Sequence, residues 1–202
     1  MSKHRHIVAI VGRPNVGKSS LFNRFVGRRD AIVDDKPGIT RDRHYAMCEW
    51  NGKHFHVVDT GGIMPTSVEL FDLAIREQAE IAIAESDVIL FVVDAKTGVT
   101  DIDLQIAKIL RSVDKPILLA VNKVDQTEDN HSVYAFYQLG LGEPIPVSAM
   151  VGRASGDLLD LVVEKIPGDA SEQVEDERIH VAIIGKENVG KSSFVNAIIG
   201  EN

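Results

Sequence analysis

Eight residues, Gly12-Arg13-Pro14-Asn15-Val16-Gly17-Lys18-Ser19, constrain this chain more than any other stretch. They fit the pattern G-x-x-x-x-G-K-[ST] and lie between an apolar run at residues 7–11 and a helix-like segment at residues 20–26. That strand–loop–helix setting is what makes the pattern a phosphate cradle. Gly12 and Gly17 let the backbone turn tightly and approach a ligand without Cβ clashes. The N–H groups from Asn15 through Val16, Gly17, Lys18, Ser19 and Ser20, with the helix N-terminus behind them, are expected to face anionic oxygens. Lys18 reaches for the β- and γ-phosphates, and Ser19 offers its hydroxyl to Mg²⁺.

The remainder of the chain reads as one sheet built around this loop. Asn51-Gly52 separates two strand-like runs at residues 45–50 and 53–58, a hairpin signal because both turn residues tolerate positive φ. Residues 69–85 carry apolar side chains at helical spacing. A strand is expected at 88–94, a helix near 102–113, a strand at 117–122, a short helix around 133–139, a strand at 144–147 and a helix at 157–166. Alternating strands and helices imply right-handed crossovers. The expected fold is α/β: a phosphate-loop nucleotide-hydrolase G domain with a mostly parallel six-stranded sheet, one antiparallel edge strand and helices on both faces. Residues 27–43 form a long polar loop, of the kind that in compact domains is functional or disordered.

A complete first domain is expected over residues 1–167, with Pro167-Gly168 punctuating its last helix. Residues 168–178 are acidic and poor in apolar side chains, as in a linker. Residues 179–202 then restart the pattern. Residues 7–27 and 180–200 align without gaps and are identical at 12 of 21 positions. Gly185, Gly190, Lys191 and Ser192 fall in the fixed places, so this stretch reads as the truncated start of a second unit.

Composition narrows the class further. A formal charge of −8 and a pI near 5.3 lack the overall basic footprint of a nucleic-acid binder. The longest apolar run, residues 88–93, is far too short to cross a bilayer, so no membrane association is expected. No hydrophobic signal precedes the first strand, and the single cysteine, Cys48, suits a reducing setting. A cytoplasmic monomer is expected.

Four further segments specify which nucleotide the loop serves. Asp59-Thr60-Gly61-Gly62 fits D-x-x-G: Asp59 at a strand end can hold Mg²⁺ through water, and Gly62 brings a backbone N–H to the γ-phosphate. Thr40, in the long loop, can add a hydroxyl to the metal. Asn122-Lys123-Val124-Asp125 is the base-reading element. Asp125 accepts from guanine N1–H and the exocyclic amine, a donor pair that adenine lacks. The Lys123 stem lies over the purine ring, and the Asn122 amide braces the phosphate loop. In Ser148-Ala149, a backbone N–H is expected to meet guanine O6, with Ser148 bracing the loop.

Together G-x-P-N-V-G-K-S, P-G-I-T-R-D, D-T-G-G, N-K-x-D and S-A resemble the Era-like GTPases. The tandem phosphate loops joined by an acidic linker resemble the EngA/Der family of double-GTPase ribosome-assembly factors. The resemblance implies a GTP-binding and GTP-hydrolysing switch in large-subunit biogenesis, with GTP/GDP and Mg²⁺ bound. It also implies contact with the ribosomal subunit through a longer parent whose RNA-binding domain this chain lacks. Ras-like enzymes orient the attacking water with a Gln just after D-x-x-G, and here that residue is Ile63. Similar proteins with Asn in the phosphate loop hold K⁺ beside the β- and γ-phosphates. The resemblance therefore implies that Asn15 holds K⁺, Lys18 and Mg²⁺ neutralise the phosphoryl group, and backbone near Thr40 and Gly62 places the water. Loops 28–43 and 60–67 would be ordered by the γ-phosphate and released on hydrolysis. Glu187 in the second phosphate loop departs from the pattern of the first.

Two alternatives stay open: a catalytically silent module that binds guanine nucleotide, and a phosphate-loop ATPase or small-molecule kinase. His54 and His56 alternate with Phe55 and Val57 and are read as surface side chains. Cys48 is read as a small strand residue, not a nucleophile. Arg28, Arg29, Arg41 and Arg43 are read as solvated loop charge.

Overall fold

The computed structural model describes residues 6–27, 44–60, 80, 82–126 and 128–167. Thr40, Gly61, Gly62, Ile63, loops 28–43 and 61–67, most of the helix expected at 69–85, the linker and the second phosphate loop lie outside them.

Among the described residues these elements follow in chain order: β1 (Ile7–Val11), α1 (Lys18–Val26), β2 (His44–Trp50), β3 (Lys53–Asp59), β4 (Val88–Asp94), α2 (Asp101–Leu110), β5 (Ile117–Asn122), a 3₁₀ segment (Glu128–Leu139), β6 (Pro144–Pro146) and α3 (Ser155–Lys165). Residues 82–85 are helical. The six strands form one sheet in the order β2-β3-β1-β4-β5-β6. Only β2 runs antiparallel, paired to β3 at the edge; every other neighbouring pair is parallel. The sheet is thus the expected one. Asn51 and Gly52, at φ 50° and 74°, make the left-handed turn that closes the β2–β3 hairpin.

The strand period of two divides the core into two layers. Val88, Leu90 and Val92 of β4 join the cluster containing Leu21, Phe25, Leu158 and Val162 from α1 and α3. Ile89, Phe91 and Val93 join the opposite cluster, with Ile106 and Leu110 of α2 and Phe136 of the 3₁₀ segment. All seven residues of β4 are buried, as befits a central parallel strand covered on both faces.

Helix ends explain the small shifts from expectation. α2 begins at Asp101 because Thr100 caps it: its hydroxyl accepts from the Asp103 N–H while the Asp103 carboxylate accepts from the Thr100 N–H. α3 stops before Ile166, whose extended ψ of 125° precedes Pro167. The short helix expected at 133–139 is instead part of the 3₁₀ segment. Its buried side chains, Val133, Phe136 and Leu139, recur every third residue, matching three residues per turn rather than 3.6. The same eclipsed spacing stacks the exposed Tyr134 and Tyr137 rings, with centroids 6.4 Å apart and planes 15° apart. Cys48 is buried, and His54 and His56 are half-buried. No helix among the described residues is long and apolar enough to cross a membrane.

Candidate functional site

Parallel strands deliver their C-terminal ends to one edge of the sheet. Register places Ile10 beside Asp59 and Asp94 beside Asn122. The phosphate loop, D-x-x-G and N-K-x-D motifs therefore converge there, although they are far apart in sequence.

Between β1 and α1 the loop takes positive φ at Gly12 (153°), Asn15 (65°) and Gly17 (96°). A Cβ on Gly12 would lie 2.3 Å from the Val92 carbonyl oxygen, and one on Gly17 would lie 2.3 Å from Asn122 Nδ2. The loop is seated directly on β4 and on the end of β5, and only glycine fits. Lys18 folds back along the loop and donates from Nζ to Gly12 O at 2.8 Å and Arg13 O at 3.0 Å. Burial holds its pKa below the ordinary lysine value, opposed by the Asp59 carboxylate and reinforced by the Arg13 charge. A cation desolvated in this way is stabilised by an arriving phosphate.

Arg13 is anchored by Asp103, with Nε 3.4 Å from Oδ2. That carboxylate is fully buried. The other leg of the fork is not closed among the described residues: Arg13 Nη2 and Asp103 Oδ1 are both buried without a hydrogen-bond partner. The capping carboxylate of α2 thus also tethers the phosphate loop.

Ser19 Oγ donates to Asp59 Oδ2 at 2.6 Å. Two hard oxygen ligands from different elements meet beside the phosphate loop. No group of three His, Cys, Asp or Glu side chains that could hold a metal occurs among the described residues. This donor set fits Mg²⁺, which keeps waters and takes phosphate oxygens alongside one or two protein ligands. Asn15 is exposed at the top of the loop, while its carbonyl accepts from Lys123 Nζ at 2.7 Å.

The Asn122-Lys123-Val124-Asp125 segment is built in three layers. Asn122, 2% exposed, donates from Nδ2 to Val16 O at 2.8 Å and accepts at Oδ1 from the Ala149 N–H at 2.9 Å. It staples the phosphate loop to the Ser148-Ala149 turn. The Ala149 N–H is given to Asn122 because the strand ends of β5 and β6 bring the two groups within direct hydrogen-bonding reach. Lys123, at φ 68°, turns its chain over the loop and donates to Asp94 Oδ2 at 2.6 Å as well as to Asn15 O. Asp125 accepts from Ser148 Oγ at 2.8 Å on one oxygen and from Lys96 Nζ at 2.7 Å on the other. Those two bonds, Lys96 first, hold its pKa below the ordinary carboxylate value. Burial raises the pKa of Asp94, but the Lys123 ammonium and the Lys96 and Thr97 donors outweigh it and leave the net shift downward.

Arg24 of α1 closes the site from below, donating to Ala149 O at 3.0 Å and Met150 O at 2.6 Å. Beside it, Ser20, Asn23, Arg24, Gly27 and Ala149 line an open cleft of about 270 Å³. Asp94, Lys96, Arg24 and the Arg13–Asp103 pair were not anticipated from sequence. An acid ending a buried strand, as Asp59 does, was a signal available for Asp94. Lys96 carries none, since its role depends on where β4 and β5 lie relative to each other. Thr40 and Gly62 lie outside the described residues.

A family model described as 50S ribosome-binding GTPase matches residues 7–123 and 180–202. The chain is 58% identical over 196 residues to GTPase Der of Limosilactobacillus reuteri (strain DSM 20016), an alignment covering 97% of this chain and 44% of that protein. The chain spans about 44% of the length of the curated relatives it matches. Among solved structures, a variant of Aquifex aeolicus Era bound to GDP and AlF4⁻ aligns with a TM-score of 0.62 at 30% identity, covering 80% of this chain and 57% of that one. Era in complex with MgGDPNP and a segment of 16S ribosomal RNA aligns with a TM-score of 0.62 at 27% identity, covering 92% of this chain and 61% of that one. On its sequence and fold, this chain belongs to the family of 50S ribosome-binding GTPases, with the resemblance to EngA/Der proteins that its motifs suggested.

Proposed function

We propose that this protein binds GTP and hydrolyses it to GDP and phosphate, as a molecular switch in biogenesis of the large ribosomal subunit. The observation that carries the reading is the braced pair of motifs: Ser19 against Asp59 for metal-bound phosphate, and Asp125, bonded through both oxygens, for guanine. An ionised, oriented carboxylate matches the two N–H donors of guanine, a donor pair that adenine does not offer it. That disfavours the ATPase and kinase alternatives.

In this reading Asn15, Val16, Gly17, Lys18, Ser19 and Ser20 bind the phosphates, and Asn122, Lys123, Asp125, Ser148 and Ala149 enclose the base. Ser19, Thr40 and Asp59 would hold Mg²⁺, which supplies charge neutralisation on the transferring phosphoryl group. Asn15 would hold K⁺, which supplies a further positive charge beside the β- and γ-phosphates. Lys18, held by two carbonyls, moves its ammonium onto the phosphates when they arrive, and the backbone near Thr40 and Gly62 orients the water. No glutamine follows the D-x-x-G motif, so electrostatics rather than a side-chain base carries the rate. The setting is a cytoplasmic monomer that meets the ribosomal subunit through a longer parent protein. The family's description supports contact with the large subunit, and the 16S ribosomal RNA bound to the Era neighbour supports a ribosome-related role without specifying that subunit.

The test is GTP turnover by the purified chain with Mg²⁺ in matched KCl and NaCl, beside an Asn15→Asp variant and a GDP-against-ADP binding titration. Turnover that requires K⁺ and is lost in the variant is expected. Tight guanine-nucleotide binding with no turnover in either salt would replace the enzyme reading with that of a silent binding module. Equal affinity for ADP would overturn the nucleotide assignment.

A further inference from the structure

The turn after β4 belongs to none of the sequence motifs, yet it is tied into the site at several points. Asp94 accepts from the Lys96 N–H at 2.9 Å and from Thr97 Oγ1 at 3.2 Å, while its carbonyl accepts from the Gly98 N–H at 3.1 Å. The Ala95 N–H donates to Asn122 O at 2.9 Å, which locks the turn to the end of β5. The backbone of Lys96 is thereby fixed beside the base-reading motif, and its Nζ reaches Asp125 Oδ2 at 2.7 Å. Two acids and two lysines alternate across the gap: Lys123 pairs with Asp94, and Lys96 pairs with Asp125.

A carboxylate offers about four acceptor positions, two on each oxygen. Ser148 takes one on Oδ1 and Lys96 one on Oδ2. Among the described residues one position then remains on each oxygen, which is the number that the N1–H and exocyclic N–H of guanine require. With either brace removed, the carboxylate can rotate about its terminal torsion, which is broad and only weakly restrained by itself. We propose that Lys96 is a positioning residue for guanine selection, holding the plane of the Asp125 carboxylate so that both of its remaining acceptor positions face the base. The inference rests on the base-reading role proposed above for Asp125 and adds to it a determinant outside the N-K-x-D motif.

The discriminating ligand is inosine diphosphate, which keeps N1–H and O6 but lacks the exocyclic amine. An aligned carboxylate gains a second hydrogen bond from GDP that it cannot gain from IDP; a swivelling one gains less of it. The experiment measures GDP, IDP and ADP affinities by calorimetry with Mg²⁺ for the wild-type chain and for Lys96→Met, Lys96→Arg and Asp125→Ala, together with the melting temperature of each. Lys96 is 62% exposed on its side chain, so solvent screening limits the effect to about threefold to fivefold, shrinking as salt rises. Lys96→Met is expected to weaken GDP binding by that factor, narrow the GDP-to-IDP ratio, and leave ADP affinity and melting temperature unchanged. Lys96→Arg is expected to restore the ratio. An unchanged GDP-to-IDP ratio in Lys96→Met, or equal losses for GDP, IDP and ADP accompanied by a lower melting temperature, overturns the inference. Asp125→Ala tests the underlying reading separately: if it keeps the preference for GDP over ADP, the base-reading role itself is wrong.

Discussion

Asn122 bonds directly to both the phosphate loop and the Ser148-Ala149 turn, so Asn122→Ala is a sharp perturbation of the site. The alanine leaves the Val16 carbonyl, 2.8 Å from Nδ2, and the Ala149 N–H, 2.9 Å from Oδ1, without the partners they now have. Both bonds are buried, and a buried polar group left unpaired costs about 1–3 kcal/mol. Two such groups give a loss of about 2–6 kcal/mol. With a urea dependence of about 2–3 kcal/mol per molar for a domain of this size, the midpoint should fall by about 0.7–3 M. Asn122→Asp separates the two bonds. It keeps an acceptor for the Ala149 N–H but sets a carboxylate oxygen against the Val16 carbonyl, so it should be no more stable than the alanine variant. Urea unfolding followed by circular dichroism, without nucleotide, measures both. If Asn122→Ala loses less than about 1 kcal/mol, or Asn122→Asp matches the wild type, the staple is not what holds the two loops together.

Three further outcomes are expected. Gly12→Ala places a Cβ 2.3 Å from the Val92 carbonyl oxygen of the central strand, where backbone cannot yield. It should cost on the order of 3 kcal/mol, and a melting temperature equal to wild type would contradict the seating of the loop on β4. Ser19→Ala removes the hydroxyl bonded to Asp59, so the tightening of GDP binding by Mg²⁺ should weaken about tenfold or more; unchanged Mg²⁺ dependence in calorimetry would remove Ser19 from the metal site. The Asp125 carboxyl should titrate below its ordinary value of 3.8, because Lys96 and Ser148 favour the ionised form. A folded pKa depressed in this way contributes stability that is fully present above 3.8 and lost as pH falls through the folded value. Lys96→Met removes the largest downward influence, so carboxyl NMR should find the Asp125 titration moved up toward 3.8, and no movement would deny the contact.

Much of the site was legible in the amino-acid order because its chemistry is local. Gly12 through Ser19 must be contiguous to wrap one phosphate group, and Asn122-Lys123-Val124-Asp125 must follow a strand to stand at its end. The sheet was legible for a related reason: parallel strands buried on both faces must be apolar throughout, as β4 is, and Asn51-Gly52 admits a left-handed turn that few residues do. The short helix expected at 133–139 is present as a longer 3₁₀ segment, whose type was legible in the three-residue spacing of Val133, Phe136 and Leu139.

What only the tertiary structure decided is which polar groups meet. Asp125 and Lys96 are 29 residues apart, Arg13 and Asp103 are 90 apart, and Arg24 and Ala149 are 125 apart. Nothing in local spacing encodes such pairs. They arise because β4 lies between β1 and β5 and brings their C-terminal turns to one edge. The partner of the Ala149 N–H is set in the same way, by the closeness of two strand ends that puts Asn122 Oδ1 within its reach.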